Sequence, residues 1–142
     1  AKANRDEAAR LQRQEAHCWR MAGQYDLARE LFAALDARYA GNAEFEFEYG
    51  DTLVRLEGAA AGLSRLERAV GKDASLQPAR AALGRALMEL GRPADAIPHL
   101  EAASASDAAV LVALGKAYRA VGRPMDASRV EAEYKQRIVR ER

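Results

Sequence analysis

The chain of 142 residues has a single cysteine, Cys18, which excludes an intramolecular disulfide and a metal site built from several thiolates. Histidine is scarce too, with His17 and His99 alone. Neither sign of charge is in excess, because 22 Lys and Arg accompany 21 Asp and Glu, so the overall charge favours neither nucleic acid nor an anionic membrane. No apolar run reaches the ~18 residues that a membrane span needs, and no secretory signal is visible.

The residues that are abundant predict an all-α protein. Alanine and leucine are frequent, β-branched residues are sparse, and glycine and proline fall between segments of helical length. We predict eight helices, over residues 4–22, 25–38, 43–57, 60–71, 76–90, 93–104, 108–121 and 124–140. Asp73 or Ser75, and Ser106 or Asp107, are candidate helix caps. Because the chain starts at Ala1, we expect a processed product or part of a larger protein, of unknown compartment.

The helices repeat in pairs. The segment 83–96 returns at 114–127, 31 positions later, and Tyr49-Gly50 precedes Leu83-Gly84 by 34 positions. Four copies follow, at about 9–42, 43–76, 77–107 and 108–142. A period of this size is typical of stacked helical repeats, in which neighbouring pairs cover each other's apolar faces. The fourth copy arrives three residues early, so we expect a shortened sixth helix.

Small residues recur at fixed positions and predict close packing within each pair. The first helices share the position of Ala16, Gly50, Gly84 and Gly115, and the second helices share that of Ala28, Gly62, Ala96 and Ala127. We therefore expect Gly84 to meet Ala96. Cys18 shares its position with Thr52, Ala86 and Ala117, which predicts a buried, inert thiol. His99 is predicted to face solvent.

The two terminal copies carry glutamate where the other copies carry apolar residues. Glu15 stands in the position of Tyr49, Leu83 and Leu114, and Glu131 stands in that of Phe32, Leu66 and Leu100. Terminal repeats need a polar outer face, so we predict that both glutamates lie on exposed caps.

The pattern of Leu-Gly, Gly-x-Pro, Ala and Phe or Leu at fixed offsets over about 34 residues resembles the tetratricopeptide repeat (TPR) family. The resemblance covers nearly the whole chain and implies a right-handed α-solenoid of four antiparallel helix pairs, forming one domain over residues 1–142. It also implies an inner groove, made by the first helix of each pair, in which a protein or peptide partner lies.

Carrying the family's inner positions onto this sequence gives the candidate groove. Its residues are Arg13, His17, Arg20, Phe47, Asp51, Val54, Arg55, Arg85, Met88, Val112, Lys116 and Arg119. The set is net basic, which favours an acidic or mixed-charge peptide with apolar footholds. The carboxylate clamp known in the family is not expected, since its positions hold Arg13, His17, Glu48, Pro78 and Ala82 here.

No catalytic set, cofactor loop or metal-ligand cluster can be assembled, so we predict an interaction module without enzymatic activity. One alternative is a structural or oligomerisation module that uses its terminal or convex faces. A lesser alternative is single-stranded RNA binding in the basic groove. The near-zero net charge of the chain argues against this alternative. The Ala-, Arg- and Gly-rich usage is typical of a high-GC bacterium.

Overall fold

A computed structural model describes residues 1–141, which form eight α-helices and no β-strand. The helices are α1 (Lys2–Met21), α2 (Tyr25–Tyr39), α3 (Ala43–Glu57), α4 (Ala59–Lys72), α5 (Gln77–Glu89), α6 (Pro93–Ala103), α7 (Ala108–Ala120) and α8 (Pro124–Glu141). All eight predicted helices are present, and their ends lie within two residues of the predicted ones. The expected shortening is confirmed, because α6 has 11 residues whereas α4 has 14.

Glycine and proline set the turns inside the helix pairs. Gly91 and Gly122 adopt φ of +72° and +79°, the left-handed conformation that ends a helix and that other residues rarely adopt. Pro93 and Pro124 then open α6 and α8, where the missing N–H costs no helical hydrogen bond. Between pairs, Asp107 caps α7 by accepting a bond from the N–H of Ala109 at 2.9 Å. The cap position of α5 is Leu76, not Asp73 or Ser75.

The chain divides into two compact units. Unit 1, Ala1–Asp73, contains the pairs α1/α2 and α3/α4, with α2 packed on α3. Unit 2 starts at Ala74 and contains the pairs α5/α6 and α7/α8, with α6 packed on α7. Each unit therefore holds two of the four predicted copies.

Unit 1 has an aromatic core at the junction of α2 and α3. The rings of Phe32 and Tyr49 stack with their centroids 5.6 Å apart, and Phe45 meets both rings edge-on at 5.6 and 6.0 Å. Phe32 and Phe45 are fully buried. The core of unit 2 is aliphatic apart from one ring, and its larger buried side chains are Leu83, Leu87, Ile97, Leu100, Val110, Leu111, Leu114, Tyr118 and Val130.

A polar cluster lies beside the aromatic core and joins α2, α3 and α4. Arg65 donates to both carboxylate oxygens of Asp36, at 2.9 and 2.8 Å, and lies 3.4 Å from the fully buried carboxylate of Glu46. Its guanidinium also covers the ring of Tyr49 at 4.1 Å. The hydrogen bond from Arg65 lowers the pKa of Asp36 despite partial desolvation. The cluster therefore ties the second helix of one pair to the next pair.

The close approach predicted from the small residues is present in both units. In unit 1, a Cβ added to Gly62 would lie 2.2 Å from the carbonyl oxygen of Gly50, so the two backbones touch. In unit 2, a Cβ added to Gly84 would lie 2.5 Å from a methyl carbon of Leu100. A Cβ added to Gly50, the repeat equivalent of Gly84, would likewise lie 3.2 Å from Leu66, the repeat equivalent of Leu100, so the nearest neighbour of Gly84 is Leu100 and not the predicted Ala96.

Two further predictions about single residues are wrong. Cys18 is exposed, whereas Thr52 and Ala117 at the same repeat position are fully buried. Those two residues are buried because α3 and α7 each follow another helix pair in their own unit, whereas residues 1–141 place no such pair before α1. His99 is partly buried instead of facing solvent, and its Nδ1 lies 3.4 Å from a guanidinium nitrogen of Arg80.

Candidate partner-binding surface

In unit 1 the first helices of the two pairs, α1 and α3, lie next to each other. We define the α1–α3 face by Arg13, His17 and Arg20 of α1 and by Glu48 and Asp51 of α3. Residues three and four apart share one side of a helix, so both sets project on the side where the helices meet. The face is therefore built on two regular helices and needs no loop to hold it.

Charged side chains interlock across this face. His17 pairs through Nδ1 with Glu48, and Arg20 donates to Asp51 at 2.8 Å while its Nε lies 3.5 Å from Glu48. Asp51 also meets Arg55 at 3.7 Å. Both carboxylates are almost buried, Glu48 at 9% and Asp51 at 8% exposure. Since buried carboxylates need counter-charges, Arg20 is committed to holding α1 against α3.

Glu48 changes the charge expected of the face. It occupies one of the clamp positions and is not among the candidate groove residues predicted from the sequence. Its spacing gave a usable signal, because it follows Glu44 by four residues and precedes Asp51 by three, which puts all three on one side of α3. With Glu48 included, the face of unit 1 is closer to neutral than the sequence suggested.

Arg13 differs from the other arginines of the face. Its Nη2 donates to Oδ1 of Asn42 at 3.0 Å, and its guanidinium carbon lies 4.8 Å from the ring centroid of Tyr39 and 5.8 Å from that of Phe45. Among residues 1–141 no carboxylate lies within ion-pair distance of it. Asn42 is itself fixed, since it caps α3 by accepting from the N–H of Phe45 at 3.0 Å. The Arg13 guanidinium is thus oriented by neutral partners and keeps its charge uncompensated.

A depression of about 480 Å³ opens beside Arg13. Its walls are Arg10, Arg13, Gln14, His17, Asn42, Ala43, Glu44 and Glu48. Glu44 on its rim is exposed and, within the described part of the chain, makes no ion pair. The depression therefore offers one uncompensated cation and one uncompensated anion.

The remaining candidates of unit 1 lie around the charged network. Phe47 lies under Arg20, with the guanidinium carbon 5.2 Å from its ring centroid. Arg55 contacts the ring of Tyr25 in α2 at 5.7 Å as well as Asp51. Val54 is placed differently from the others, because its side chain packs towards Gly62 of α4.

In unit 2 the corresponding helices are α5 and α7, and their arginines are also engaged. Arg85 pairs with Asp107 at 2.9 Å, and Arg119 donates twice to Glu131 at 2.9 Å. The bonds from Arg119 lower the pKa of the Glu131 carboxyl. The α5–α7 face, defined by Arg85, Met88, Val112, Lys116 and Arg119, leaves Lys116 exposed and Val112 40% exposed, with Met88 half-buried.

Within residues 1–141 no group of three His, Cys, Asp or Glu side chains is arranged to hold a metal ion. No helix in the same range is long and apolar enough to cross a membrane.

Comparison with known proteins identifies the fold. No protein-family profile and no curated protein sequence matches the chain. Solved structures do match. A crystal structure of MamA has a TM-score of 0.81 at 16% identity and covers 94% of this chain and 80% of its own. MamA 41-end from Desulfovibrio magneticus RS-1 has a TM-score of 0.77 at 19% identity, with coverages of 89% and 73%.

YrrB, described as a TPR protein with an unusual peptide-binding site, has a TM-score of 0.76 at 21% identity, with coverages of 91% and 68%. These similarities, together with four antiparallel helix pairs, confirm the predicted class of structure. The chain is an all-α protein with the TPR solenoid fold.

Proposed function

We propose that this chain is a non-catalytic interaction module that binds a segment of a partner protein on its α1–α3 face. The single observation that carries the proposal is Arg13, a guanidinium oriented by Asn42 and Tyr39 and left without a carboxylate beside an open depression. The fold supports the general role, since YrrB shares it and is described as having a peptide-binding site.

The chemistry of the face favours a mixed-charge segment. A guanidinium is a planar fork of donors that matches a carboxylate, and the aromatic contacts of Arg13 already fix its plane. Glu44 on the same rim favours a lysine or arginine of the ligand. A partner with an acidic residue near a basic one therefore pairs with both uncompensated charges. A purely acidic segment would instead be repelled by the carboxylates of Glu44 and Glu48.

The α5–α7 face of unit 2 is a separate and weaker candidate surface. Lys116 is its cation without a described ion pair, and Met88 and Val112 are its apolar contacts. Arg85 and Arg119 contribute less than their number suggests, because a ligand carboxylate must first displace Asp107 or Glu131.

The test is a selection from a random peptide library displayed on phage, with the purified chain as bait. We expect the selected peptides to be enriched in Asp or Glu next to Lys or Arg. The same selection on an Arg13→Gln variant should lose the enrichment in acidic residues. Arg5→Gln is the matched control, since Arg5 is an exposed arginine of the same helix outside the depression. Equal enrichment on parent and Arg13→Gln bait would show that Arg13 is not the anchor.

A further inference from the structure

Histidine is the side chain that normally changes its charge between about pH 5 and 8, and the α1–α3 face contains one, His17. The only other histidine of the chain, His99, lies in α6 of unit 2. His17 is a wall residue of the depression beside Arg13, and its side chain is 51% exposed. Protonation of this ring would therefore change the charge that a ligand meets in the depression.

The contact between His17 and Glu48 assigns a role to each ring nitrogen. An ionised carboxylate can only accept, so the Nδ1 that pairs with Glu48 carries the proton of the neutral ring. Nε2 of the neutral ring is then an acceptor, and it makes no hydrogen bond to the described residues 1–141. Proton uptake occurs at Nε2 and converts it from an acceptor into a donor.

The charged groups around His17 come from its own helix and from α3. They are Arg10, Arg13 and Arg20 on α1 and Glu44, Glu48 and Asp51 on α3. Arg10 pairs with Glu7, and Arg20 is shared between Glu48 and Asp51. While the ring of His17 is neutral, Glu44 and part of the charge of Glu48 therefore face the depression, where they repel an incoming carboxylate.

Protonation of His17 favours a ligand carboxylate in two ways. The imidazolium compensates the charge of Glu48, which weakens the repulsion. It also gives Nε2 a proton to donate on the side of α1 that carries Arg13, because residues four apart share one side of a helix with their Cβ atoms about 5–6 Å apart. A carboxylate held by the Arg13 guanidinium then gains a second charged donor.

We infer that Arg13 and His17 together form a proton-dependent site for a carboxylate of the partner. The inference rests on the proposed function, because it uses the same depression and the same Arg13 anchor. Arg13 is charged throughout the neutral range, whereas His17 adds its charge and its second donor as the pH falls. The protein therefore binds an acidic side chain of its partner more tightly in mildly acidic solution than at about pH 8, as long as that side chain stays ionised.

The test measures the Kd of one fluorescent peptide by anisotropy at about pH 8 and about pH 5.5, at constant ionic strength. The peptide comes from the phage-displayed library by selection at about pH 5.5. It contains glutamate, has an acetylated N-terminus and lacks histidine and cysteine, so that its own charge changes little over this range. We expect the Kd for the parent to be roughly 3- to 10-fold lower at the lower pH, because the added contact is a half-exposed, charged hydrogen bond.

Two substitutions of His17 separate its charge from its shape. His17→Gln keeps an N–H for Glu48 but cannot be protonated, so its Kd should stay near that of the parent at about pH 8. His17→Lys is charged at both pH values and should bind with the lower Kd at both. The matched control is His99→Gln, which removes the histidine outside the depression and should keep the parental pH dependence. Circular dichroism at both pH values shows whether each variant keeps its helices.

The outcomes distinguish this inference from the proposed function. A parental Kd that is equal at both pH values, while Arg13→Gln still weakens binding, would overturn the inference alone. A His17→Gln variant that keeps the parental pH dependence would do the same, because a carboxylate such as Glu44 would then be the titrating group. Absence of acidic enrichment at either pH, or an Arg13→Gln variant that binds like the parent at both, would overturn the inference and the proposed function together.

Discussion

Replacing Gly62 by alanine tests the packing of unit 1 at its closest contact. The added Cβ would lie 2.2 Å from the carbonyl oxygen of Gly50 and 2.6 Å from a methyl carbon of Val54. The first obstacle is backbone, so α3 and α4 must move apart as a whole. Overpacking of this kind costs about 1–3 kcal/mol, partly offset by the up to ~1 kcal/mol that alanine gains over glycine in a helix.

Gly71→Ala is the matched control for this prediction. Gly71 lies in the same helix, α4, its φ is not positive, and nothing lies within 4 Å of its added Cβ. It should therefore gain stability by up to ~1 kcal/mol. Urea unfolding followed by far-UV circular dichroism gives both free energies on one scale. A Gly62→Ala variant as stable as Gly71→Ala would refute the backbone contact between α3 and α4.

Three further outcomes follow from the contacts. Cys18 should react with a maleimide in the native monomer at nearly the rate of a free thiol; protection until unfolding would contradict its exposure. Gly84→Ala should lower the free energy of unfolding by about 1–3 kcal/mol, because the added Cβ meets the side chain of Leu100. The loss should be smaller in a Leu100→Ala background, which removes that side chain, and a double-mutant cycle measures the difference. Arg65 lowers the pKa of Asp36, so their pair stabilises the fold above pH ~3.8 and the stabilisation fades as the pH falls through the lower folded pKa. Asp36→Asn should weaken the pH dependence of the free energy of unfolding in this acidic range. An unchanged pH dependence would show that the Asp36–Arg65 pair does not contribute to it.

The sequence predicted the helices well because their ends are set by local chemistry. Gly91 and Gly122 supply the left-handed residue that ends a helix, and Pro93 and Pro124 favour the first turn of the next helix. The order of the pairs followed from the repeat, since a repeated pattern of small and large side chains specifies a repeated packing.

The repeat does not predict burial correctly where one position has different surroundings in different copies. Cys18 inherits the sequence position of Thr52 and Ala117 but not the helix pair that buries them. Such differences depend on the three-dimensional neighbours and not on the residue itself.

The candidate site was predictable in its location but not in its electrostatics. The inner positions of α1 and α3 follow from helical spacing. Arg20 forms ion pairs with Glu48 and Asp51, whereas Arg13 contacts a neutral amide and has no carboxylate partner. Both facts depend on distances between helices, which the local sequence does not predict. The count of basic residues therefore overstated the charge that a ligand would meet.

The central claim is that Arg13 anchors a carboxylate of the partner. Fluorescence anisotropy titration of one library-selected, mixed-charge peptide against the parent, Arg13→Gln and Arg5→Gln tests it most directly. Loss of hydrogen bonds to a charged group is worth about 1.5–3 kcal/mol, so Arg13→Gln should raise the Kd roughly 10- to 100-fold. Arg5→Gln should leave the Kd nearly unchanged. Equal affinity of the parent and Arg13→Gln, or an equal loss in both variants, would contradict the account.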